Sequence, residues 1–380
     1  MFTTRSASAV VTILMGMTGT DSAAQTVTGS FMHDGIQRDY RLYVPPIYNG
    51  SSAVPLVFNL HGYGSDASQQ ELYGDFRAIA DTAGFLIALP NGTVDQYGNR
   101  HWDTFGASVV DDLGFISALL DTISAQYNID ADRVYSTGMS NGGFMSYDLA
   151  CYRSERFAAI ASVTGTMLTT RLTNCAAAHP TPVMQIHGTA DPTVNYNGGS
   201  GFSAIEPLVE HWAQFNHCDP VPTITAVPDT NTTDGCTAEH FVYTGGDAGS
   251  TVEFYKVLGG GHTWPDAIVD IGVTNHDFNA SREVWRFFSQ YDLSTLVGIP
   301  GDRTAGPVFT FGPNPASGTV NVRFNDAAPR VITLVNSIGQ TVLEQRSSQP
   351  LVRIEVDGRG LYLLSVQAGD RTAVQRLVID

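Results

Sequence analysis

The chain has 380 residues, 43% of them hydrophobic, enough to bury the core of one large domain and a smaller companion. Its formal net charge is −17 and its only lysine is Lys256; a nucleic-acid partner needs a basic stripe, and none is present. The acidity is uneven, −18 over residues 1–300 and +1 over residues 301–380, so the chain divides by charge near residue 300.

Residues 1–24 read as an export signal. Arg5 supplies the positive start, Ala9 to Met17 a short apolar core, and Ser22-Ala23-Ala24 a small-residue cleavage site. That core is too short for a membrane helix, and no later segment nears the ~20 apolar residues that a span requires. Export makes disulfides the expected state of the four cysteines. Of three possible pairings, sequence neighbours are expected: Cys151 with Cys175 and Cys218 with Cys236. No paired ligand spacing of a zinc site occurs, so neither metal nor cofactor is expected.

Two strand-like runs, Thr26–Met32 and Asp39–Val44, open the mature chain around the turn Asp34-Gly35. Val54–Leu60 follows as an apolar strand, then a helix over Gln69–Ala83 and a buried strand Phe85–Leu89. Asp112–Gln126 reads as a helix whose first acids, Asp111-Asp112, suit the macrodipole. Next come a strand Arg133–Thr137, a helix Gly143–Tyr152, strands Ala158–Val163 and Pro182–Ile186, a helix Ala204–Phe215, a strand Val252–Leu258 and a helix Arg282–Tyr291. Short apolar strands alternating with amphipathic helices predict an α/β fold, a doubly wound, mostly parallel sheet covered on both faces, over residues 25–299. Residues 300–307 have linker composition. Beyond them only strand-like segments appear, Val320–Phe324, Val331–Val335, Thr341–Glu344, Val352–Val356, Tyr362–Val366 and Ala373–Val378, with turn signals at Ser337-Ile338-Gly339 and Asp357-Gly358. A small all-β sandwich over 308–380 is the expectation.

One constellation carries chemistry. Gly138-Met139-Ser140-Asn141-Gly142 lies between a strand and an apolar helix, the context of a nucleophile elbow, in which glycine flanks let the serine project from a tight turn. The order that goes with this elbow is Ser, then acid, then His. Asp191 follows the strand end Met184–Gly188, and His262 sits in the glycine-rich loop Gly259–Pro265. They are the expected acid and base, with His276 as rival base and Asp219, Asp229 and Asp234 as rival acids. His61 and His187, beside glycines at strand ends, read as structural. An oxyanion hole needs two donors: the backbone N–H of Asn141, and in His61-Gly62-Tyr63-Gly64 that of Tyr63, with Gly64 or Ser65 as the alternative. Trp102 and Trp264 are expected to wall the substrate pocket, as large aromatics do, with a place in the core as the alternative for either.

Gly138-Met139-Ser140-Asn141-Gly142-Gly143-Phe144, Phe157-Ala158-Ala159-Ile160-Ala161 and Gly259-Gly260-Gly261-His262-Thr263-Trp264-Pro265 resemble the secreted polyhydroxybutyrate depolymerase and feruloyl esterase family, related to carbohydrate esterase family 1. The resemblance spans roughly residues 35–292. It implies an α/β-hydrolase that cleaves carboxylic esters with the triad named above. Members act on feruloyl or acetyl esters of plant cell walls, or on polyesters. Tyr63 stands where many members carry cysteine. Phe311–Gly318, Ile338-Gly339-Gln340 and Gly360–Leu364 resemble the C-terminal sorting domain of type IX secretion, which implies a Bacteroidetes-like bacterium, that secretion machinery as a partner, and a secreted or cell-surface product. A serine peptidase and a non-catalytic binding protein are the competing classes. The first usually carries a propeller or large cap for which this chain has no room, and the intact triad speaks against the second.

Overall fold

A computed structural model describes residues 24–106, 110–297, 309–324, 327–336, 340–368 and 371–379. Residues 1–23 of the expected signal segment 1–24, the linker 300–307 and the turn Ser337–Gly339 lie outside the described residues.

In chain order the first part contains β1 (Gln25–His33), β2 (Ile36–Val44), β3 (Val54–Leu60), α1 (Ala67–Tyr73), α2 (Arg77–Ala83), β4 (Leu86–Pro90), β5 (Thr93–Val94), β6 (Arg100–His101), α3 (Asp112–Ser124), β7 (Ile129–Met139) and α4 (Asn141–Tyr152). It continues with β8 (Ala159–Val163), α5 (Thr169–Thr173), β9 (Val183–Gly188), α6 (Ile205–Phe215), β10 (Thr223–Ala226), β11 (Thr237–Tyr243), β12 (Val252–Leu258), α7 (Ala280–Phe288) and α8 (Leu293–Leu296). Ten strands form one sheet in the order β1-β2-β4-β3-β7-β8-β9-β12-β11-β10. The six from β4 to β12 pair in parallel, and antiparallel pairs flank them at both edges. Strands β4, β8 and β9 are buried at every residue, as a parallel sheet covered on both faces demands. One face packs on α1, α2 and α7 through Phe76, Phe85, Val284 and Phe287, the other on α3 through Phe58, Phe115 and Leu119.

The helix expected over Gln69–Ala83 is two helices. Gly74 ends α1, and a Cβ there would meet Trp264 at 3.1 Å, so tight packing requires glycine at the break. The strands β10 and β11 escaped the sequence reading because β10 is only four residues long and wholly exposed, and Glu239 and His240 break the apolar pattern of β11.

The second part has β13 (Thr310–Gly312), β14 (Thr319–Arg323), β15 (Arg330–Asn336), β16 (Thr341–Ser347), β17 (Leu351–Glu355), β18 (Gly360–Ala368) and β19 (Arg371–Ile379). They form two sheets, β13-β14-β17 and β16-β15-β18-β19. Val320, Val322, Ile332, Leu334, Ile354 and Leu364 belong to one shared core, the sandwich that their alternation predicts.

The cysteines follow the sequence in one pair and depart from it in the other. Cys151 and Cys175 are bridged, with Cα atoms 4.8 Å apart. Cys218 and Cys236 are free thiols. Strand β11 lies between them: Cys236 precedes Thr237, whereas Asp219 N donates to Thr244 O at 2.7 Å beyond the strand's other end. Seven strand residues span roughly 23 Å, far beyond the ~6 Å of a bridge.

Candidate active site

Ser140 has φ +53° and ψ −117°, a backbone conformation costly for a residue with a Cβ. Both flanking glycines are required by close approach. A Cβ on Gly138 would lie 2.6 Å from Leu60 O, and one on Gly142 would lie 2.2 Å from the same oxygen. The turn is therefore wedged against the end of β3, with Ser140 N donating to Val163 O at 2.8 Å. It presents the serine above the sheet at the N-terminus of α4, where the helix dipole favours negative charge.

The acid and base loops are tied to each other. Ala190 N donates to Gly260 O (3.0 Å) and Gly259 N to Thr189 Oγ1 (2.8 Å). A Cβ on Gly188 would lie 2.2 Å from Gly260 O. His262 Nδ1 donates to Asp191 Oδ2 at 2.7 Å, and Ser140 and His262 line one cavity. Asp191 is buried, and its Oδ1 accepts from Thr193 N (2.8 Å) and Val194 N (2.9 Å). Burial alone would raise its carboxyl, but the bonds from His187 and His262 outweigh it and hold Asp191 well below the carboxylate range.

His187 proves to be more than a strand-end residue. Its Nε2 lies 2.8 Å from Val194 O and 3.3 Å from Asp191 Oδ2. Gln185 Nε2 donates to its Nδ1 at 3.0 Å, and Tyr147 O–H donates to Gln185 Oε1 at 2.8 Å. This buried chain places the His187 proton on Nε2, aimed at the acid. The rival base His276 instead pairs with Asp266 (3.3 Å) and Asp270 (3.0 Å) and does not line the cavity. The rival acids make no bond to His262 among the described residues; Asp234 accepts from His276 N at 2.9 Å.

Around the oxyanion position, Gly64 N donates to Arg100 O (2.8 Å) and Ser65 N to Gly62 O (3.1 Å), so neither is available. The N–H groups of Tyr63 and Asn141 have no acceptor among the described residues. The Tyr63 loop is held by His61, whose Nδ1 donates to Gly62 O (2.8 Å) while Nε2 accepts from Gly92 N (3.0 Å). Burial pushes this imidazole down to about 4, so it stays neutral.

The two tryptophans do not wall the pocket. Trp102 is 0% exposed, its Nε1 donating to His61 O at 2.9 Å and its backbone N–H to Asn141 Oδ1 at 2.7 Å. Trp264 is 1% exposed, packed edge-on against Phe76 and bonded to Ser281 Oγ at 3.2 Å. Trp102 braces the His61–Tyr63 loop from behind, and Trp264 anchors the loop that carries His262. The wall of the cavity, of about 500 Å³, is instead Leu72, Tyr73, Met139, Ile268, Val269 and Ile271. The signal for three of these was an aliphatic cluster in a loop just after His262, with neither helical nor strand period. Asp111 caps α3 through Gly114 N at 2.8 Å, and Asp112 is buried against Arg38 at 2.7 Å, so this pair serves structure.

The fold is that of the α/β-hydrolase class, and the proteins this chain resembles in sequence are esterases. Within that class the chain belongs to the esterase PHB depolymerase family, which residues 38–199 match. Residues 311–380 match the secretion system C-terminal sorting domain. "Putative esterase NocK" of Nocardia uniformis subsp. tsuyamanensis is 30% identical, over 64% of this chain and 75% of its own length. The bifunctional acetylxylan esterase/xylanase of Neocallimastix patriciarum is 27% identical over 77% of this chain, which spans only 39% of that protein. Feruloyl esterase D of Neurospora crassa is 27% identical, over 70% of this chain and 86% of its own. Among the described residues no helix is long and apolar enough to cross a membrane.

Proposed function

We propose that the protein is a secreted serine carboxylic ester hydrolase acting on feruloyl- or acetyl-type esters of plant cell walls, with Ser140 as nucleophile, His262 as base and Asp191 as the acid that orients it. The observation that carries this reading is the cavity shared by the elbow serine and a histidine bonded at 2.7 Å to a buried carboxylate. Ser140 Oγ attacks the ester carbonyl as His262 Nε2 takes its proton. The oxyanion receives the N–H groups of Tyr63 and Asn141, and collapse expels the alcohol, protonated by His262. Water then releases the acid from Ser140 by the same steps in reverse. Asp191 holds the proton on Nδ1 and stabilises the imidazolium.

An aliphatic and tyrosine-lined cavity of about 500 Å³ suits an acyl group larger than acetyl. Polyester hydrolysis is the second reading, favoured by the exposed aliphatics Ile268 and Val269 at the cavity mouth. Release of ferulate, acetate or 3-hydroxybutyrate from the three corresponding polymers decides between them. Ser140→Ala should lower turnover of p-nitrophenyl acetate by about 10⁴-fold or more while the fold persists; a variant keeping a tenth of the activity would sink the assignment.

For export, the reading assigns residues 1–24 as signal peptide, 25–299 as catalytic domain, 300–307 as linker and 308–380 as a sorting domain addressed to the type IX machinery. The sorting-domain match and the bridge between Cys151 and Cys175 support it.

A further inference from the structure

Beside the catalytic cavity lies a second groove, of about 790 Å³, and Tyr63 lines both. Its rim is the hairpin β5–β6, which carries Tyr97 at its tip. Tyr97 is 77% exposed, and among the described residues its ring stacks on no other and its hydroxyl makes no hydrogen bond. A tyrosine placed so contributes little to the core, yet the loop that holds it is closely organised. Asp95 Oδ1 accepts from Tyr97 N (2.8 Å) and Asn99 N (2.9 Å). Asp95 Oδ2 accepts from the Tyr63 hydroxyl at 2.6 Å, and Asn99 Nδ2 donates to that hydroxyl at 3.0 Å. The hairpin and the oxyanion loop are thereby clipped together, and two tyrosines border one groove.

The polar groups between them both donate and accept. The side-chain amides of Gln37 and Gln96 are exposed and unbonded among the described residues. His101 Nδ1 lies 3.2 Å from Thr93 O and donates to it, which leaves Nε2 as an acceptor in the neutral ring. A sugar matches this set: its C–H face covers an aromatic ring, and its hydroxyls supply donors as well as acceptors. A polyester chain offers carbonyl acceptors and no donors along its length, so it would use only the donating half of this set.

We infer that this groove binds the sugar chain that carries the ester, so that Tyr63 divides the substrate into an acyl half in the catalytic cavity and a carbohydrate half against Tyr97. The inference rests on the ester-hydrolase reading of Ser140 and goes beyond it by assigning the sugar its own groove and naming Tyr97 and Gln96 as contacts.

The test separates binding from turnover. Xylohexaose and cellohexaose, which carry no ester, are titrated against the Ser140→Ala protein by calorimetry and by chemical-shift mapping. At least one should bind, and Tyr97→Ala or Gln96→Ala on that background should weaken it by about fivefold. In the enzyme with Ser140 intact, Tyr97→Ala should lower kcat/KM on feruloylated oligosaccharide relative to p-nitrophenyl acetate by a similar factor. If neither sugar binds, or the ratio stays within about twofold, the groove is not a carbohydrate subsite. An equal loss on a hydroxybutyrate trimer overturns the sugar assignment too. Absence of p-nitrophenyl acetate turnover in the wild type would instead defeat the ester-hydrolase reading, and the titration would still judge the groove.

Discussion

His187 Nε2 lies 3.3 Å from Asp191 Oδ2, the oxygen that also receives His262 Nδ1 at 2.7 Å. One carboxylate oxygen thus meets two imidazoles, one reaching the cavity and one fully buried. The buried ring positions the acid, and its own orientation depends on Gln185 and Tyr147. His187→Ala should therefore lower kcat by about ten- to a hundredfold, the scale of one lost buried charge-assisted bond, with KM little changed. Gln185→Leu should show a weaker form of the same defect. A His187→Ala enzyme that folds and keeps full kcat would show that the contact does not matter to catalysis.

The pH dependence of stability should contain a component from His61. Its folded value is lowered from 6.5 to about 4 because burial disfavours the charged ring. The unfolded chain therefore takes up the proton first as pH falls. His61 contributes its full stabilisation above about pH 6.5, and that contribution is lost as pH drops through about 4. Melting temperatures followed from pH 7 to 4 should fall more steeply in the wild type than in His61→Gln, whose amide does not titrate. Parallel curves would remove His61 as the cause.

Thiol counting tests the corrected cysteine pattern. Protein unfolded without reductant should yield two reactive thiols, from Cys218 and Cys236, and peptide mapping should recover Cys151 linked to Cys175. Burial raises both free thiols to about 11, so the native protein should react slowly. Reduction of the one bridge should cost roughly 3 kcal/mol of stability. Zero thiols, or a link through Cys218, would contradict the structure.

The second part should be dispensable for chemistry. Its core is separate, and none of its described residues lines the cavity of Ser140 and His262. A chain ending at Pro300 should keep kcat/KM on p-nitrophenyl acetate within about twofold of the full chain. Loss of turnover in a folded truncation would show that the division of labour is wrong.

The elements that place the nucleophile were legible in the sequence because their constraints are local. An elbow that tolerates no Cβ at Gly138 or Gly142 writes itself as glycine, and buried parallel strands write themselves as apolar runs. The proposed triad Ser140, Asp191 and His262 keeps the chain order that goes with the elbow, so the sequence alone nominates it. Trp102 and Trp264 could not be placed this way. A large aromatic beside a catalytic loop can face the cavity or brace the loop from behind, and here the bonds to His61 O and Ser281 Oγ decide for bracing. Nor does spacing say that β11 separates Cys218 from Cys236, since the four exposed residues of β10 that precede it are too few to mark a sheet edge. His187 reads as an ordinary strand-end histidine until β9 and the following turn bring it back onto Asp191. Those outcomes depend on which segments cross which face of the sheet, and only the folded chain brings such distant groups within bonding distance.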